Sequence, residues 1–353
     1  MKGKIKGLIA AAMLLMVILD TKTATEGMKS GIQLCLETAI PSLLPFLILS
    51  KYLSGTISAT KIPLLSSISR KCGVPEQINS ILWIGLLGGY PVGAQRVSDA
   101  YNQRIIDKDT AERLLGFCNN AGPAFIFGIS NTLFTGASVA WAIFLIQICA
   151  CVLTGFLLPG KMKYDTHAYR MNETNFIQCV ENSMRSIAII CCWILSFRTL
   201  LAYTERYLSI EDPISNVILS GFFELSNGCI GLSSLKSCSQ KFVLMNGMLS
   251  FGGICVWMQT QSVSKGLSMK VFMVGKIIQC AISVAISLIT QGFIFPNEAI
   301  ENSILGIAIC VTVVTMELLL MNRKIIVASW KKVLYNLFKK YEKRDIYAVS
   351  QAD

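Results

Sequence analysis

The chain has 353 residues, of which 53% are hydrophobic and only 15% are charged. Soluble domains carry a charge on about a quarter of their residues, so this composition excludes an ordinary soluble protein and predicts an integral membrane protein. The net charge of +11 does not indicate a nucleic-acid partner, because the Lys and Arg residues flank apolar segments and do not form one basic domain.

Eight apolar segments are predicted to cross the membrane as helices. They comprise residues 5–19, 31–53, 114–135, 137–158, 179–204, 242–262, 271–294 and 303–321. Lys2, Lys4 and Lys6 precede the apolar core of the first segment, and no typical signal-peptidase site follows it. This pattern predicts a retained helix with a cytoplasmic N-terminus. The basic amphipathic tail after the last segment is predicted to lie on the cytoplasmic membrane surface.

Two further apolar stretches, 77–95 and 213–235, are interrupted by Gly, Pro and polar residues. If both enter the membrane and return, the basic loops around Lys61, Lys161 and Lys265 and the basic tail share the cytoplasmic side. If both cross, the loop around Lys161 is inverted. The charge pattern therefore favours two re-entrant hairpins, although crossing is left open.

This topology predicts an all-α polytopic fold of two inverted repeats with re-entrant hairpins and broken helices. The repeats are assigned to 31–160 and 179–302, after an N-terminal helix and loop at 1–30. A cytoplasmic linker at 161–178 joins them, and 303–353 holds the last span and the tail. The segment Arg96–Leu115 is predicted to be a short cytoplasmic surface helix after the first hairpin.

Four stretches carry helix breaks, two in each repeat: GLLGGYPVGAQ from Gly85, FCNNAGPAF from Phe117, GFFELSNGCIG from Gly221 and LSFGGIC from Leu249. Irregular backbone at membrane depth is tolerated only where protein buries it or a watery cavity meets it. Half-helix ends can also attract anions and cations. The four breaks therefore predict one shared binding cavity, against the alternative that the glycines only pack helices and the prolines only kink them.

The predicted substrate-binding residues are those that offer backbone access, hydroxyls or amides at these breaks: Gly89, Tyr90, Gly93, Asn119, Asn120, Ser226, Asn227, Gly252 and Gly253. Glu224, an ionisable group within the second hairpin, is predicted to hold a coupling cation or a proton. Arg198 and Lys276 are expected to extend toward a membrane interface. No catalytic, cofactor or metal-binding motif occurs, and the 13 cysteines are expected to be buried and reduced.

Four motifs together resemble the nucleoside-recognition (Gate) domain membrane proteins: PSLLPF from Pro41, GYPVGA from Gly89, NNAGP from Asn119, and SFGG from Ser250 with the later Gln259. They are most similar to the branch of sporulation integral membrane proteins. That resemblance implies dipicolinate transport into the forespore, and an architecture like that of the concentrative nucleoside transporters.

We therefore expect a non-enzymatic secondary transporter of a small anionic or aromatic metabolite in the bacterial cell membrane, with both termini cytoplasmic. Its expected partners are that metabolite, a coupling cation or proton, and membrane lipid. Nucleic acid is not expected, and a homo-oligomer is left open. The alternatives are another Gate-type transporter, such as one for nucleosides, a non-transporting assembly or signalling partner, and, last, a membrane enzyme.

Overall fold

A computed structural model describes residues 2–57, 63–158, 160, 162–164, 175–208 and 210–296. Over these ranges the chain folds into fifteen α-helices, joined by short turns, with no named strand. The first repeat as predicted and the N-terminal region contain α1 Lys2–Leu19, α2 Thr21–Leu34, α3 Ile40–Ile57, α4 Pro63–Lys71, α5 Asn79–Gly88, α6 Val92–Asn102, α7 Lys108–Cys118, α8 Pro123–Leu133 and α9 Ala137–Leu157.

The remaining helices are α10 Phe176–Leu208, α11 Pro213–Phe223, α12 Leu225–Gly231, α13 Cys238–Phe251, α14 Gly253–Val263 and α15 Lys270–Ile294. The predicted span at 303–321, the basic tail and His167 lie outside the described residues.

Among the described helices, four are long and apolar enough to cross a membrane: α9, α10, the α13–α14 pair and α15. A fifth candidate is bent by 49° between Thr21–Ala39 and Leu43–Leu49, where the sequence predicts one uninterrupted span. The bend follows a π-helical turn at Cys35–Ala39, a common cause of helix kinks. The chain is therefore an integral membrane protein with four or five candidate spans in its described part.

Helices α5 and α6 form a tight antiparallel hairpin. A Cβ atom placed on Gly85 would lie 3.3 Å from the Cα atom of Gly93, on the other side of the turn. Each arm has only 10 or 11 residues, about 15 Å of helix, which is half the roughly 30 Å of a bilayer core. These lengths suit a segment that enters and returns.

The predicted surface helix at Arg96–Leu115 is wrong. Its first part continues α6 to Asn102, and its second part is the start of α7, in which Leu114 and Leu115 are fully buried. Its mixed charge misled the prediction, because Arg113 is buried too and donates hydrogen bonds to the carbonyl oxygens of Cys72, Gly155 and Leu158.

Helices α11 and α12 form a second antiparallel hairpin, in which a Cβ atom on Gly228 would collide with the Cα atom of Gly221. The hairpin begins at a regular helix start, where the Asp212 side chain caps the helix and Pro213 occupies the first turn. Glu224 separates the two arms and caps α12.

The same order of elements occurs twice along the chain: a long helix, a short hairpin, a helix with a break, and a long helix. In the first occurrence these are α2 with α3, α5–α6, α7–α8 and α9; in the second they are α10, α11–α12, α13–α14 and α15. The corresponding long helices pack on each other, α2 against α10 and α9 against α15. The residues of both breaks, Asn119 to Ala121 and Gly252 to Gly253, are buried.

Candidate functional site

The tip of the first hairpin lies directly against the break between α7 and α8. Gly89 has φ +73°, and a Cβ atom there would come within 2.9 Å of the Gly122 backbone nitrogen. Only glycine combines this left-handed conformation with so close a backbone approach. The tip and the break are therefore held in direct backbone contact.

The second hairpin meets the second break in the same way. The break between α13 and α14 contains Gly252 and Gly253, with φ +82° and +77°, and a Cβ atom on Gly253 would lie 2.9 Å from the carbonyl oxygen of Gly221 in α11. Each hairpin thus lies against the helix break of its own half of the chain.

A small cavity of about 40 Å³, which we call the tip cavity, lies where the two hairpin tips converge. Tyr90 lines it from the first tip, Glu224 and Ser226 line it from the second, and Gln259 of α14 completes its polar wall. At about 10–15 Å³ for each water, this volume holds only a few water molecules, whereas ligand pockets measure roughly 300–1,000 Å³. The tip cavity as it stands is therefore too small to hold a metabolite.

Glu224 is 3% exposed and its two carboxylate oxygens cap α12. Oε1 accepts a hydrogen bond from the Ser226 backbone N–H at 3.0 Å, and Oε2 accepts one from the Asn227 N–H at 2.7 Å. In the described part of the chain no Lys or Arg nitrogen forms an ion pair with it. The carboxylate thus faces the tip cavity with its backbone partners only on the α12 side.

Lys276 is the principal functional candidate that sequence reasoning missed. It was expected to reach a membrane interface, but its side chain is 1% exposed and its Nζ donates to Tyr90 Oη at 3.2 Å, Asn120 Oδ1 at 3.2 Å and Gln279 Oε1 at 2.9 Å. A signal for this arrangement was present in α15, where polar residues recur every three or four positions: Lys276, Gln279, Ser283, Ser287 and Gln291. All five are buried, so they form one interior polar face.

The two predicted asparagines take different roles. Asn120 joins the Lys276 cluster, since its Oδ1 also accepts from Gln279 Nε2 at 2.8 Å. Asn119 is fully buried and uses both ends of its amide within the protein: Oδ1 accepts from the Ala94 N–H at 3.2 Å, and Nδ2 donates to Thr260 Oγ1 at 2.8 Å. Asn119 therefore ties the first hairpin to α14 and does not face the tip cavity.

Among the predicted glycines, Gly93 is packed away from the tip cavity, because a Cβ atom there would collide with the Cys118 carbonyl oxygen. Gly252 lies beside Tyr90, whose hydroxyl oxygen would be 3.2 Å from a Cβ atom on this glycine. The predicted set thus separates into residues at the tip cavity and residues that hold the surrounding backbone.

Asn227, although adjacent to Ser226, does not line the tip cavity. It lines a pocket of about 410 Å³, the Arg198 pocket, together with Arg198 and Asn216. The Asn227 Nδ2 atom is buried and has no hydrogen-bond partner in the described structure. Arg198, expected near an interface, pairs instead with Glu205 at 2.7 Å and donates to Ser30 Oγ at 3.0 Å.

A second buried polar cluster lies further along the same face of α15. Gln147 Nε2 of α9 donates to Asn246 Oδ1 and to Ser283 Oγ, both at 3.1 Å, and Ser250 Oγ donates to Gln147 Oε1 at 2.8 Å. Polar side chains inside a membrane bundle hold helices in register through such bonds. This cluster fixes α9, α13 and α15 around the second break.

The described residues contain no group of three or more His, Cys, Asp or Glu side chains placed to hold a metal ion. The twelve cysteines in this part of the chain are free thiols, and Cys149 and Cys192 are exposed whereas burial was expected. The chemistry available at the tip cavity is therefore that of one carboxylate, one nearby ammonium, amides and hydroxyls.

The chain is 24% identical to "Sporulation integral membrane protein YlbJ" of Bacillus subtilis (strain 168) over 332 residues, which cover 78% of this chain and 81% of that protein. No family model matches the chain, and no solved structure matches it. The chain is thus a membrane protein related to a sporulation integral membrane protein.

Proposed function

We propose that this chain is a secondary-type transporter that moves a small anionic or aromatic metabolite across a bacterial cell membrane. The observation that carries the proposal is the convergence of both hairpin tips, the first helix break and the helix after the second break on one buried cavity that contains a carboxylate. Transporters commonly build midplane sites from interrupted helices and internal repeats. The repeated element order supports an inverted relation between residues 31–160 and 179–302, as in the concentrative nucleoside transporters.

Two separate cavities, each lined by residues of the α11–α12 hairpin, support alternating access. The tip cavity of about 40 Å³ is too small for an aromatic metabolite, whereas the Arg198 pocket of about 410 Å³ lies within the usual range for small ligands. In the proposed cycle, movement of this hairpin joins the two spaces and admits the substrate. Glu224, at the turn of the hairpin, binds the coupling cation or proton.

Dipicolinate is the proposed cargo, delivered to the forespore during sporulation. This choice rests on the resemblance of the motifs and on the similarity to a sporulation integral membrane protein of Bacillus subtilis. Both termini are proposed to be cytoplasmic. The competing cargo is a nucleoside or another small metabolite. The competing role is that of a non-transporting assembly or signalling partner.

The test is uptake of labelled dipicolinate by the purified full-length protein in proteoliposomes, under gradients of Na⁺ or protons applied separately. We expect gradient-dependent uptake, reduced at least about tenfold in Glu224→Gln, since losing a buried charged hydrogen-bonding group costs roughly 1.5–3 kcal/mol. Glu181→Gln is the matched control, because Glu181 is an exposed glutamate of α10.

Uptake of uridine without uptake of dipicolinate would show that the chain is a transporter and that the proposed cargo is wrong. Absence of uptake and of ligand-induced thermal stabilisation for dipicolinate and nucleosides alike would reject the transport proposal. Full uptake by Glu224→Gln would reject only the coupling role of Glu224 and leave the transport proposal standing.

A further inference from the structure

The hydrogen-bond pattern around Lys276 is the one that an ammonium group requires. The Tyr90 hydroxyl donates its one hydrogen bond to the Leu249 carbonyl oxygen at 3.1 Å, so the Tyr90 oxygen is an acceptor toward Lys276. The Asn120 and Gln279 side chains present carbonyl oxygens, and their amide nitrogens are engaged elsewhere. Three acceptors match the three N–H donors of an ammonium group, whereas a neutral amine offers only two.

The acceptors of the Lys276 ammonium are all uncharged: one hydroxyl oxygen and two amide oxygens. Within the described part of the chain no carboxylate oxygen lies within 4.0 Å of Lys276 Nζ. The Nζ atom also lies 5.1 Å from the centre of the Tyr90 ring and 5.9 Å from that of Phe272, and these faces stabilise a cation weakly. Its positive charge is therefore solvated but not neutralised by the side chains around it.

The charge is separated from the tip cavity only by the cavity wall. Tyr90 contributes both to that wall and to the Lys276 cluster, and Asn120 directly precedes Ala121 and Gly122, which also line the cavity. Coulomb interactions are strong across such a dry, low-dielectric wall. A carboxylate bound in the enlarged cavity would therefore meet a fixed positive potential on the side of Tyr90.

We propose that Lys276 is the charge that makes the tip cavity selective for a carboxylate ligand, acting across the Tyr90 wall as a positioning residue. Glu224 faces the same space from the second hairpin, so the site combines one fixed cation with one carboxylate that takes up the coupling cation or proton. The ligand class is a carboxylate, which enters with that cation. This inference rests on the proposed transport function and specifies its substrate selectivity.

The test compares two ligands of the same shape and different charge: pyridine-2,6-dicarboxylate and its neutral diamide. Binding to the full-length protein in detergent is measured from the concentration dependence of thermal stabilisation. Wild type is expected to bind the dicarboxylate at least about tenfold more tightly than the diamide. Lys276→Met should weaken dicarboxylate binding by at least about tenfold and change diamide binding by less than about threefold.

Lys276→Arg should retain most of the preference for the dicarboxylate, because it keeps the charge at the same wall. Lys51→Met is the matched control: Lys51 is another buried lysine, 5% exposed, which donates to Asn182 O and Ser186 Oγ and does not line the tip cavity. Its removal should leave the ratio of the two affinities unchanged. If Lys276→Met does not yield folded protein, Lys276→Gln, which keeps polar donors without the charge, is measured by the same criterion.

If Lys276→Met or Lys276→Gln loses affinity for the dicarboxylate and the diamide equally, or keeps the wild-type preference between them, the inference is overturned and Lys276 is a structural residue. A wild type that binds neither compound but transports another solute would also overturn it. A wild type that neither binds nor transports any candidate solute would instead reject the transport proposal on which the inference rests.

Discussion

The Tyr90 hydroxyl donates a hydrogen bond to the Leu249 carbonyl oxygen at 3.1 Å, across 159 positions of sequence. Leu249 lies in the last turn of α13, where backbone carbonyls have no partner within the helix. The bond therefore satisfies the helix end at the second break with a side chain from the first hairpin tip. It joins the two halves of the chain at the point where both are irregular.

Tyr90→Phe should lower the free energy of unfolding by about 1–3 kcal/mol, because it leaves the Leu249 carbonyl and the Lys276 ammonium each short of one partner. The measurement is thermal unfolding in detergent. Tyr101→Phe is the control, since the described structure gives no hydrogen bond to that hydroxyl. Equal stability of the two variants would contradict the proposed joint between the halves.

Gly89→Ala should destabilise the protein by more than 1 kcal/mol, because the added methyl meets both a left-handed backbone and the Gly122 nitrogen. Two controls separate these causes by thermal unfolding in the same detergent. Gly266 has φ +83° with open space around it, so Gly266→Ala reports backbone strain alone, and Gly128→Ala, in open space within α8, reports neither cause. We expect the order of destabilisation Gly89, Gly266, Gly128.

Arg113→Met should cost at least about 2 kcal/mol, because one guanidinium satisfies carbonyl oxygens of Cys72, Gly155 and Leu158 at 2.9–3.0 Å. Arg113→Lys should recover only part of this loss, since an ammonium lacks the planar fork. Thermal unfolding again gives the ranking. Arg70→Met, at an exposed arginine with only local contacts, is expected to change stability little, and an Arg113→Met variant as stable as that control would refute the prediction.

Asp212, at the start of the second hairpin, predicts a pH dependence. Hydrogen bonds from the Ser215 hydroxyl and backbone N–H hold the pKa of the Asp212 carboxyl below its ordinary value. Because the folded-state pKa lies below the unfolded value of about 3.9, the ionised cap stabilises the fold above that pH and its contribution disappears as the pH falls through the folded-state pKa.

Asp212→Asn keeps a capping oxygen and removes the charge. Wild type should therefore be the more stable protein near neutral pH, and the difference in unfolding temperature should shrink as the pH is lowered below about 4. A constant difference over this pH range would show that the charge of Asp212 does not contribute.

The sequence alone predicted the membrane class, the helices near 137–158, 179–204 and 271–294, and the positions of the helix breaks. These follow from local chemistry: about 20 apolar residues form a span, and Gly or Pro interrupts it. The surface helix at Arg96–Leu115 failed because mixed charge resembles solvent exposure. Arg113 instead finds its partners just after α4 and at the end of α9, which are distant in sequence. The span predicted at 31–53 remains a candidate, with a 49° bend that the prediction lacked. Pro41, between the two bent segments, is a local signal for this bend, whereas the π-helical turn at Cys35–Ala39 has no comparable signal.

Tertiary structure alone decided which polar residues meet. Tyr90, Glu224 and Ser226 were expected together and line one cavity. Asn227 lines the Arg198 pocket instead, because it directly follows Ser226 in α12 and consecutive residues of a helix point about 100° apart. Lys276 looked like an interfacial lysine by composition. Its burial depends on acceptors from Tyr90 and Asn120, which lie 186 and 156 positions earlier in the chain. The sequence by itself determines where a membrane helix breaks, because Gly and Pro act on the backbone locally. It does not determine which side chains contact the break, because those side chains belong to distant helices that meet only in the tertiary structure.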